Sequence, residues 1–362
     1  MLRSRYLYQR YVQREVLGAI GIVLFAFLAL FSFFDFIDEL RHVGKADYGL
    51  LKAVAVVLLG LPGLLYELIP IACLIGALYA LSNLARHSEI TVLRASGLTT
   101  GQLLAGLLKV AGWLALLTFL LGELVVPYSD RQAQDVKAFA LNKVVAKQVY
   151  LSGFWVKDGR SFVNIRNVAS ETSVEGIRIY RFREDNALDY VLDAERADFE
   201  QGLGWRMHGI SQTTLAQDVA TISHRDDEVW RTSVTPELLA LLMVSPERMT
   251  LPNLVEYTGH LADNRQSTGR YEIALWKKII YPLSALVMVT LALPFGYSHN
   301  RMGGASLKLF TGVMLGIGFY ALNGLFSNLG VLNAWAPFVT AVAPSAIFLL
   351  AAGVLLWWAE RR

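Results

Sequence analysis

The sequence predicts a membrane protein of six transmembrane α-helices, with a β-jelly-roll-like domain inserted between the third helix and the fourth. Hydrophobic residues make up 54% of the chain, which is typical of polytopic membrane proteins. No Asp, Glu, Lys or Arg occurs between Lys308 and Glu360, whereas residues 129–270 carry 37 of the chain's 63 charged residues. We therefore divide the chain into membrane helices at 1–128, a polar domain at 129–270 and membrane helices at 271–362.

The apolar runs give the positions of the six spans, because one bilayer crossing needs about 20 apolar residues in a helix. Pro62 and Pro70 predict an interfacial entry and a kink in the second span rather than an additional crossing. A turn-rich stretch at 328–337 separates the last two spans. The spans are predicted at 16–34, 64–85, 101–126, 279–297, 309–328 and 338–358.

Basic residues indicate which side of the membrane each loop faces, since cytoplasmic loops carry an excess of Lys and Arg. Six spans place both termini on one side of the membrane. The short loops on the opposite side contain only three basic residues, Arg41, Lys45 and Lys52. The termini are therefore predicted to be cytoplasmic. Residues 129–270 would face the periplasm if the helices span the inner membrane of a Gram-negative bacterium. The basic residues on the predicted cytoplasmic side are Arg3, Arg5, Arg10, Arg14, Arg86, Arg94, Arg301, Lys308, Arg361 and Arg362.

Short alternating segments in the polar domain predict an antiparallel β-sandwich or jelly roll. The pair Asp158–Gly159 is a hairpin signal between the first two segments. Phe154, Val156, Val163 and Ile165 are expected to share one apolar face, because side chains alternate along a strand. In a closed sandwich this face is ordinary core, whereas in an open jelly roll it would shelter acyl chains. The strands are predicted at 153–157, 161–165, 176–180, 188–192, 204–208 and 229–232.

Helices are predicted on both sides of these strands. Residues 129–146 are expected to continue the third span as an amphipathic helix. Residues 235–268 are predicted to be helical, with N-caps at Thr235 and Thr250. Pro236 supports the first of these caps, because proline is favoured at the first position of a helix.

The sequence contains no motif for nucleotide, metal or nucleophilic chemistry. It lacks GxxxxGK[ST], HExxH, CxxC and GxSxG motifs, and its six histidines show no metal-ligand spacing. The single cysteine, Cys73, lies in an apolar segment and is expected to be a buried hydrophobe. A net charge of +3 is too small to indicate nucleic-acid binding. We therefore expect no cofactor, no metal and no catalytic residue.

The loop between the second and third spans, at about 86–97, predicts a short amphipathic cytoplasmic helix. Ser88 is expected to cap its N-terminus, Glu89 to complement its dipole and Gly97 to end it. Its apolar side suits docking into the groove of a partner protein, although a simple interfacial loop helix would have the same pattern. The candidate contact residues are Ser88, Glu89, Leu93 and Arg94.

Ionisable residues cluster near the outer ends of the first three spans. Charge at membrane depth is costly and usually faces a helix-bundle interior or a cavity. Basic residues just outside the bilayer suit an anionic lipid headgroup, and ordinary interfacial residues with intrachain partners would follow the same pattern. The candidates for headgroup binding are Arg41, His42, Lys45 and Lys137.

Three segments resemble a known family, the lipopolysaccharide export permeases of the LptF/LptG family. Residues 88–97 (SEITVLRASG) resemble the coupling helix of that family. Residues 153–159 (GFWVKDG) and 269–278 (GRYEIALWKK) resemble its LptG branch in particular. The resemblance covers essentially the whole chain, as three spans, a periplasmic β domain and three further spans.

The resemblance implies a set of partners and roles. The chain would form a heterodimer with an LptF-like permease, an LptB-like ATPase dimer would bind the ATP, and LptC-like and LptA-like proteins would form a periplasmic bridge. Its ligands would be lipopolysaccharide and membrane lipids. Glu89 matches the family's acid that meets the ATPase, and Arg41 and Lys137 match basic positions. Asp35 and His42 depart from the family, in which lysines are expected.

The sequence and the resemblance together predict the permease subunit of an ATP-driven ABC transporter. It would extract lipopolysaccharide from the inner membrane and pass it to a periplasmic bridge toward the outer membrane. ATP hydrolysis is expected in the separate ATPase, so this chain is not expected to be an enzyme. The alternative is a membrane scaffold whose periplasmic β domain binds partner proteins without forming the lipid path.

Overall fold

The computed structural model describes residues 2–45, 47–141, 153–170, 172–216, 219–232, 234–236, 238–239, 245–297 and 305–361. Six helices in this part of the chain are long and apolar enough to cross a membrane, so the predicted six-span architecture is confirmed. The candidate spans are Tyr8–Leu40, Leu50–Arg86, Thr100–Lys137, Gly269–Phe295, Leu307–Leu332 and Pro337–Trp358.

Up to residue 141, the described part of the chain forms five helices. The fourth continues through a π-helical turn, Leu121–Val125, directly into the fifth. These helices are α1 (Leu2–Leu40), α2 (Leu50–Arg86), α3 (Glu89–Ala95), α4 (Thr100–Leu120) and α5 (Val126–Leu141).

In the C-terminal part of the chain, the described residues include five further helices and two short 3₁₀ turns. The turns are Pro246–Arg248 and Tyr281–Leu283. The helices are α6 (Leu251–Asp263), α7 (Gly269–Ile280), α8 (Ser284–Tyr297), α9 (Ala305–Leu332) and α10 (Pro337–Arg361).

Several helices are longer than the apolar runs that predicted them. The fourth span begins at Gly269 rather than at residue 279, because α7 is amphipathic and its charged residues mask the span in a search for apolar runs. The second span is one helix through Pro62 and Pro70, so the predicted interfacial stretch before Pro62 belongs to the same crossing. The predicted helix 129–146 is observed to Leu141, and residues 142–146 lie outside the described residues, as does Arg301.

Close contacts between the membrane helices occur at glycines. A Cβ atom on Gly76 of α2 would lie 2.5 Å from the Cα of Ile20 on α1. On α9, a Cβ on Gly312 would lie 2.6 Å from Leu78 and one on Gly316 would lie 2.9 Å from Ile71. Small residues at such positions let helices approach closely, and this packing is a main source of helix association in lipid.

The inserted domain contains a six-stranded antiparallel sheet in the order β1-β2-β3-β4-β5-β6, which is jelly-roll-like but not closed. The Asp158–Gly159 hairpin is confirmed, with Asp158 paired to Ser161. The predicted sixth strand was placed too late, since β6 already ends at Trp230 and most of it precedes residue 229. The strands are β1 (Phe154–Asp158), β2 (Ser161–Ser170), β3 (Ser173–Phe182), β4 (Leu188–Glu200), β5 (Gly204–Ala216) and β6 (Val219–Trp230).

The apolar face of the sheet is covered by helices of the same domain. Leu254, Tyr257 and Leu261 of α6 and Ala274 of α7 join the buried side chains of the strands in one hydrophobic cluster. Both predicted N-caps are confirmed, because the hydroxyl of Thr235 accepts from the Leu238 N–H and that of Thr250 from the Asn253 N–H, each at 3.3 Å. Of the predicted helical stretch 235–268, the turn Pro246–Arg248 and α6 are observed, residues 237 and 240–244 lie outside the described residues, and α6 closes the sheet together with α7.

Candidate functional site

A cavity of about 1070 Å³ lies where the membrane helices meet the base of the β domain. Its walls come from the ends of α1, α2 and α9 that are nearest to that domain, from α5 and α7, and from the Pro246–Arg248 turn. Val56, Val57 and Leu64 supply an apolar side. A volume of this size accommodates a large ligand, and a mixture of apolar surface with a few polar groups is typical of ligand sites.

Charged residues of both signs line this cavity. The acids belong mainly to α1, α2 and α5, whereas the bases belong to the turn before α6 and to α7. Charges of opposite sign thus reach the cavity largely from different elements. The acidic lining residues are Asp35, Asp38, Glu39, Glu67, Asp130 and Glu247, and the basic ones are Arg248, Arg270, Lys277 and Lys278.

Two of the four basic residues have an ion-pair partner that also lines the cavity. The Arg248 guanidinium lies 3.4 Å from Asp130, and that of Arg270 lies 3.7 Å from Glu247. Lys277 differs, because its ammonium donates to the hydroxyl of Ser327 on α9 at 2.9 Å. A cation that is held by a neutral hydroxyl keeps its attraction for an anionic ligand, which makes Lys277 the strongest candidate for a headgroup contact.

None of the four predicted headgroup residues is among the lining residues of this cavity. Arg41 lies 3.3 Å from Asp38, and Lys137 lies 2.8 Å from Glu39, which is largely buried. The ring of His42 packs edge-on against Tyr48 with ring centroids 6.5 Å apart, and Lys45 is exposed in the loop after α1. The structure thus groups these residues near the end of α1, outside the cavity.

The loop after α1 is held by a network around Glu39. The Tyr48 hydroxyl donates to Glu39 at 2.6 Å, and burial together with this bond raises the pKa of Tyr48. At the edge of the loop, the hydrogen bond from Lys52 lowers the pKa of Asp47. The network fixes the loop between α1 and α2 against α5, so Lys137 has a packing role in addition to its charge.

The predicted cytoplasmic helix is observed as α3, and it ends as expected. Gly97 has a positive φ of 89°, and the Leu98 N–H donates to the Leu93 carbonyl, which is the Schellman arrangement. The predicted N-cap is wrong. Ser88 has a positive φ of 60° and its side chain makes no capping bond, since a left-handed backbone turns the side chain away from the first helical N–H groups.

The four coupling candidates differ in what they present to a partner. Leu93 is buried against the membrane helices, so it anchors α3 to its own chain. Ser88 and Arg94 are exposed, and Glu89 is half-buried and lies close to Tyr11 of α1. The candidates that remain available to a partner are therefore polar, and the exposed Val92 of α3 adds an apolar side chain to this surface.

The four residues predicted for the interior of the β domain share one face, as expected. Phe154 is opposite Ile165, and Val156 is opposite Val163 in the β1–β2 ladder. Val163 and Ile165 have no exposed surface, Val156 is buried and Phe154 is half-buried. Val156, Val163 and Ile165 belong to a packed core with α6 and α7.

Sequence reasoning missed the basic wall of the cavity. Lys277 and Lys278 end an amphipathic stretch that lies outside the apolar run of the fourth span. In the sequence they therefore resemble charged residues of a loop. The signal that could have found them is the helical period of 269–280, which places charged residues beside the apolar stripe of a membrane-entering helix. Arg248 and Arg270 give no such signal, because only the tertiary fold brings them to the cavity.

Comparisons with known proteins point to one family. The model of the lipopolysaccharide export system permease LptF/LptG family matches residues 10–358. The chain is 32% identical over 357 residues to the lipopolysaccharide export system permease protein LptG of Escherichia coli K12, with 98% of both chains covered. It is 30% identical over 350 residues to the LptG of Haemophilus influenzae, with 96% of both chains covered.

A weaker similarity links the chain to a second permease. It is 30% identical to the LptF of Escherichia coli K12 over 135 residues, which is 36% of each chain. The similarity to LptG proteins thus extends over the whole length, whereas that to LptF is partial. On the strength of the full-length match, this chain belongs to the lipopolysaccharide export system permease LptF/LptG family.

Proposed function

We propose that this chain is the LptG-like permease subunit of an ATP-driven transporter that extracts lipopolysaccharide from the inner membrane. It pairs with an LptF-like permease, and an LptB-like ATPase dimer binds and hydrolyses the ATP. LptC-like and LptA-like proteins form the periplasmic bridge that receives the lipid. The termini and α3 face the cytoplasm, and residues 129–270 face the periplasm, in agreement with the distribution of basic residues.

The observation that carries this proposal is the cavity between the spans and the β domain. A lipid with an anionic headgroup and acyl chains needs both charge and apolar surface in one site. Lys277 offers the charge, and Val56, Val57 and Leu64 offer the apolar wall. The position of the cavity suits a lipid that leaves the outer leaflet and enters the β domain.

Energy from the ATPase would enter through α3. Only a ligand with different affinities for two states is moved by a change between them, so ATP binding must change the shape of the cavity. We expect Glu89→Ala to weaken ATPase association or to uncouple hydrolysis from lipid release. Tyr11→Phe is the matched control, because it removes the contact of Glu89 within the chain and keeps the acid itself.

The β domain would receive the acyl chains along the face that carries Val163 and Ile165. Because α6 and α7 cover this face, the proposal requires these helices to move during transport. The scaffold alternative requires no such movement, and the packed core is the observation that favours it.

Lipid release from proteoliposomes to a periplasmic acceptor tests the proposal. We expect Lys277→Glu to reduce ATP-dependent release strongly while the complex still assembles, because the anionic headgroup loses its cation and meets a like charge. Lys45→Glu is the control, since Lys45 is exposed outside the cavity. Unchanged release in Lys277→Glu, or an equal loss in both variants, would contradict the cavity as the lipid site. If Lys277→Glu instead reduced assembly of the complex, and the complexes that still assembled released lipid normally, the result would favour the scaffold.

A further inference from the structure

A buried group of polar atoms joins the membrane helices to the base of α6. Both carboxylate oxygens of Glu123, on the π-helical turn, accept from the Leu251 N–H at 2.9 and 3.2 Å. The ammonium of Lys278 on α7 lies 3.4 Å from Glu123 and donates to the carbonyl of Met249. Three segments that are distant in the sequence meet at this point.

Both charged side chains are largely removed from solvent. The side chain of Lys278 is 7% exposed and that of Glu123 is 16% exposed. Burying charge is costly unless each ion has a partner and further hydrogen bonds. Here each ion has both, because each also binds one backbone group of the segment Met249–Leu251. These two backbone contacts fix the position of the segment Met249–Leu251 relative to the membrane spans.

Glu123 acts as a cap for α6 that is supplied by another part of the chain. Leu251 is the first residue of α6, and the first N–H groups of a helix have no partner within it. The Thr250 hydroxyl accepts from Asn253 and leaves the Leu251 N–H to Glu123. A carboxylate at this end also complements the helix dipole.

The π-helical turn is packed on its other side against the cavity. A Cβ on Gly122 would lie 2.5 Å from the ring of Tyr66, so only glycine allows this contact. Tyr66 packs on Tyr281 with ring centroids 5.1 Å apart, and the Tyr281 hydroxyl donates to the Glu67 carbonyl at 2.8 Å. Single π turns within α-helices occur frequently at functional sites.

The two sides of this junction belong to different parts of the molecule. Met249 and Leu254 are in the buried core under the sheet, whereas Gly122, Lys278 and Tyr281 line the cavity. A change in the shape of the cavity that moves these walls must therefore move the base of α6 or break the junction.

We propose that Glu123 and Lys278 are positioning residues that latch the β domain to the third and fourth spans, so that movement of the cavity walls is transmitted to α6. The latch itself follows from the contacts above. Its consequence for transport rests on the proposed function. Since α6 covers the apolar face of the sheet, the latch would link the shape of the cavity to access to that face.

Hydrogen exchange of the full permease complex in nanodiscs tests the latch without any transport assay. We expect Glu123→Leu to raise the exchange rate of the Leu251 amide by about tenfold or more, because the amide loses its charge-assisted bond. Glu123→Gln keeps an acceptor oxygen and should give a smaller increase, which guards against a variant that fails to fold. Asp135→Asn, an exposed acid on α5, is the control. Unchanged exchange in Glu123→Leu would overturn the latch.

A charge-reversal pair makes the test sharper. If the two ions acted only on one another, Glu123→Lys combined with Lys278→Glu would restore protection of the Leu251 amide. The structure leads us to expect no restoration, because a lysine cannot accept from Leu251 and a glutamate cannot donate to Met249. Full restoration would overturn the assignment of both backbone contacts.

Coupling is read from the number of lipid molecules released per ATP hydrolysed. We expect Glu123→Leu to lower this ratio by about fivefold or more, with a change in hydrolysis of less than about twofold. An unchanged ratio in a variant with fast Leu251 exchange would overturn the transmission of movement and leave a static joint. If the wild-type complex released no lipid, the proposed transport function would be wrong. The hydrogen-exchange result would still decide whether Glu123 holds the base of α6.

Discussion

The membrane cavity and the interior of the β domain are both partly apolar, but one is open and the other is filled. The cavity has a volume of about 1070 Å³ and charged walls. The sheet interior is packed with side chains from the strands, α6 and α7, and Ile165 has no exposed surface. A lipid therefore finds space in the membrane part of this structure, whereas the β domain must first open.

This difference suggests an order of events. A preformed cavity binds ligand without the cost of rearranging a core, whereas a closed core must lose contacts before it accepts one. The lipid would load at the cavity and reach the β domain only after α6 moves.

The largest expected effect is in the sheet core. Ile165→Ala should lower the free energy of unfolding of the β domain by about 2–5 kcal/mol, because it leaves a cavity in a filled interior. Val57→Ala, in the wall of the open cavity, should cost less than about 1 kcal/mol. Thermal unfolding of the purified chain in detergent measures both. Equal losses would mean that the two interiors are packed alike.

A smaller loss is expected where two membrane helices touch. Gly76→Ala should cost about 1–3 kcal/mol, because its new methyl group meets the backbone of Ile20 on α1. Gly101→Ala is the control, since no atom lies within 4 Å of a Cβ at that position. Denaturation in mixed micelles compares the variants. A neutral Gly76→Ala would show that α1 and α2 are not packed as described.

One side chain contributes to the attachment of α6 to the sheet. Asn264 at the end of α6 accepts from the Gly159 N–H in the β1–β2 turn at 2.8 Å. Asn264→Leu should cost about 1 kcal/mol and should accelerate hydrogen exchange in residues 154–165. Asn333→Leu is a distant control, because its amide binds only within its own helix end. Unaltered exchange would show that this bond does not help to close the interior.

The smallest effect is expected on the outer face of the sheet. The hydrogen bond from Arg196 lowers the pKa of Asp198, so the folded state binds that proton less readily than the unfolded state. The stability from this pair is present above the unfolded pKa, about 4, and is lost as pH falls through the folded pKa. The deficit of Asp198→Asn should be small at pH 7 and should disappear in acid.

The pH dependence of the stability deficit also distinguishes this ion pair from the sheet core. Ile165→Ala removes no titrating group, so its deficit should not shrink in the same pH range. Thermal unfolding between pH 3 and pH 7, relative to the wild type at each pH, separates the two. A deficit of Asp198→Asn that grows in acid would contradict the assigned direction of its pKa.

The sequence predicted most of the fold, because bilayer length and strand alternation act locally. Apolar runs identified six spans, and the pair Asp158–Gly159 identified the first hairpin. The limits of the fourth span were missed, because the charged side of α7 lies on a cavity that only the folded structure reveals. The sequence did not decide whether the apolar face of the sheet is closed or open, because the covering by α6 depends on long-range packing.

The candidate site was harder to predict than the fold. Arg41 and Lys137 have the charge expected of headgroup contacts, but each has an acidic neighbour in its own chain. Sequence alone gives the charge of a residue and its distance along the chain, not its partner. Lys277 and Arg248 reach one cavity from segments that are separated by α6, so tertiary structure had to bring them together.

Photocrosslinking of the whole complex in cells tests the order of events most directly. Tyr320 lines the cavity, and Phe154 lies half-buried on the inner face of the sheet, so a benzoyl-phenylalanine at either position keeps an aromatic ring where the native side chain has one. We expect lipopolysaccharide adducts at the Tyr320 position with or without ATP hydrolysis, and at the Phe154 position only during hydrolysis. Adducts at the Phe154 position in a complex with an inactive ATPase, or their absence at the Tyr320 position, would contradict the account.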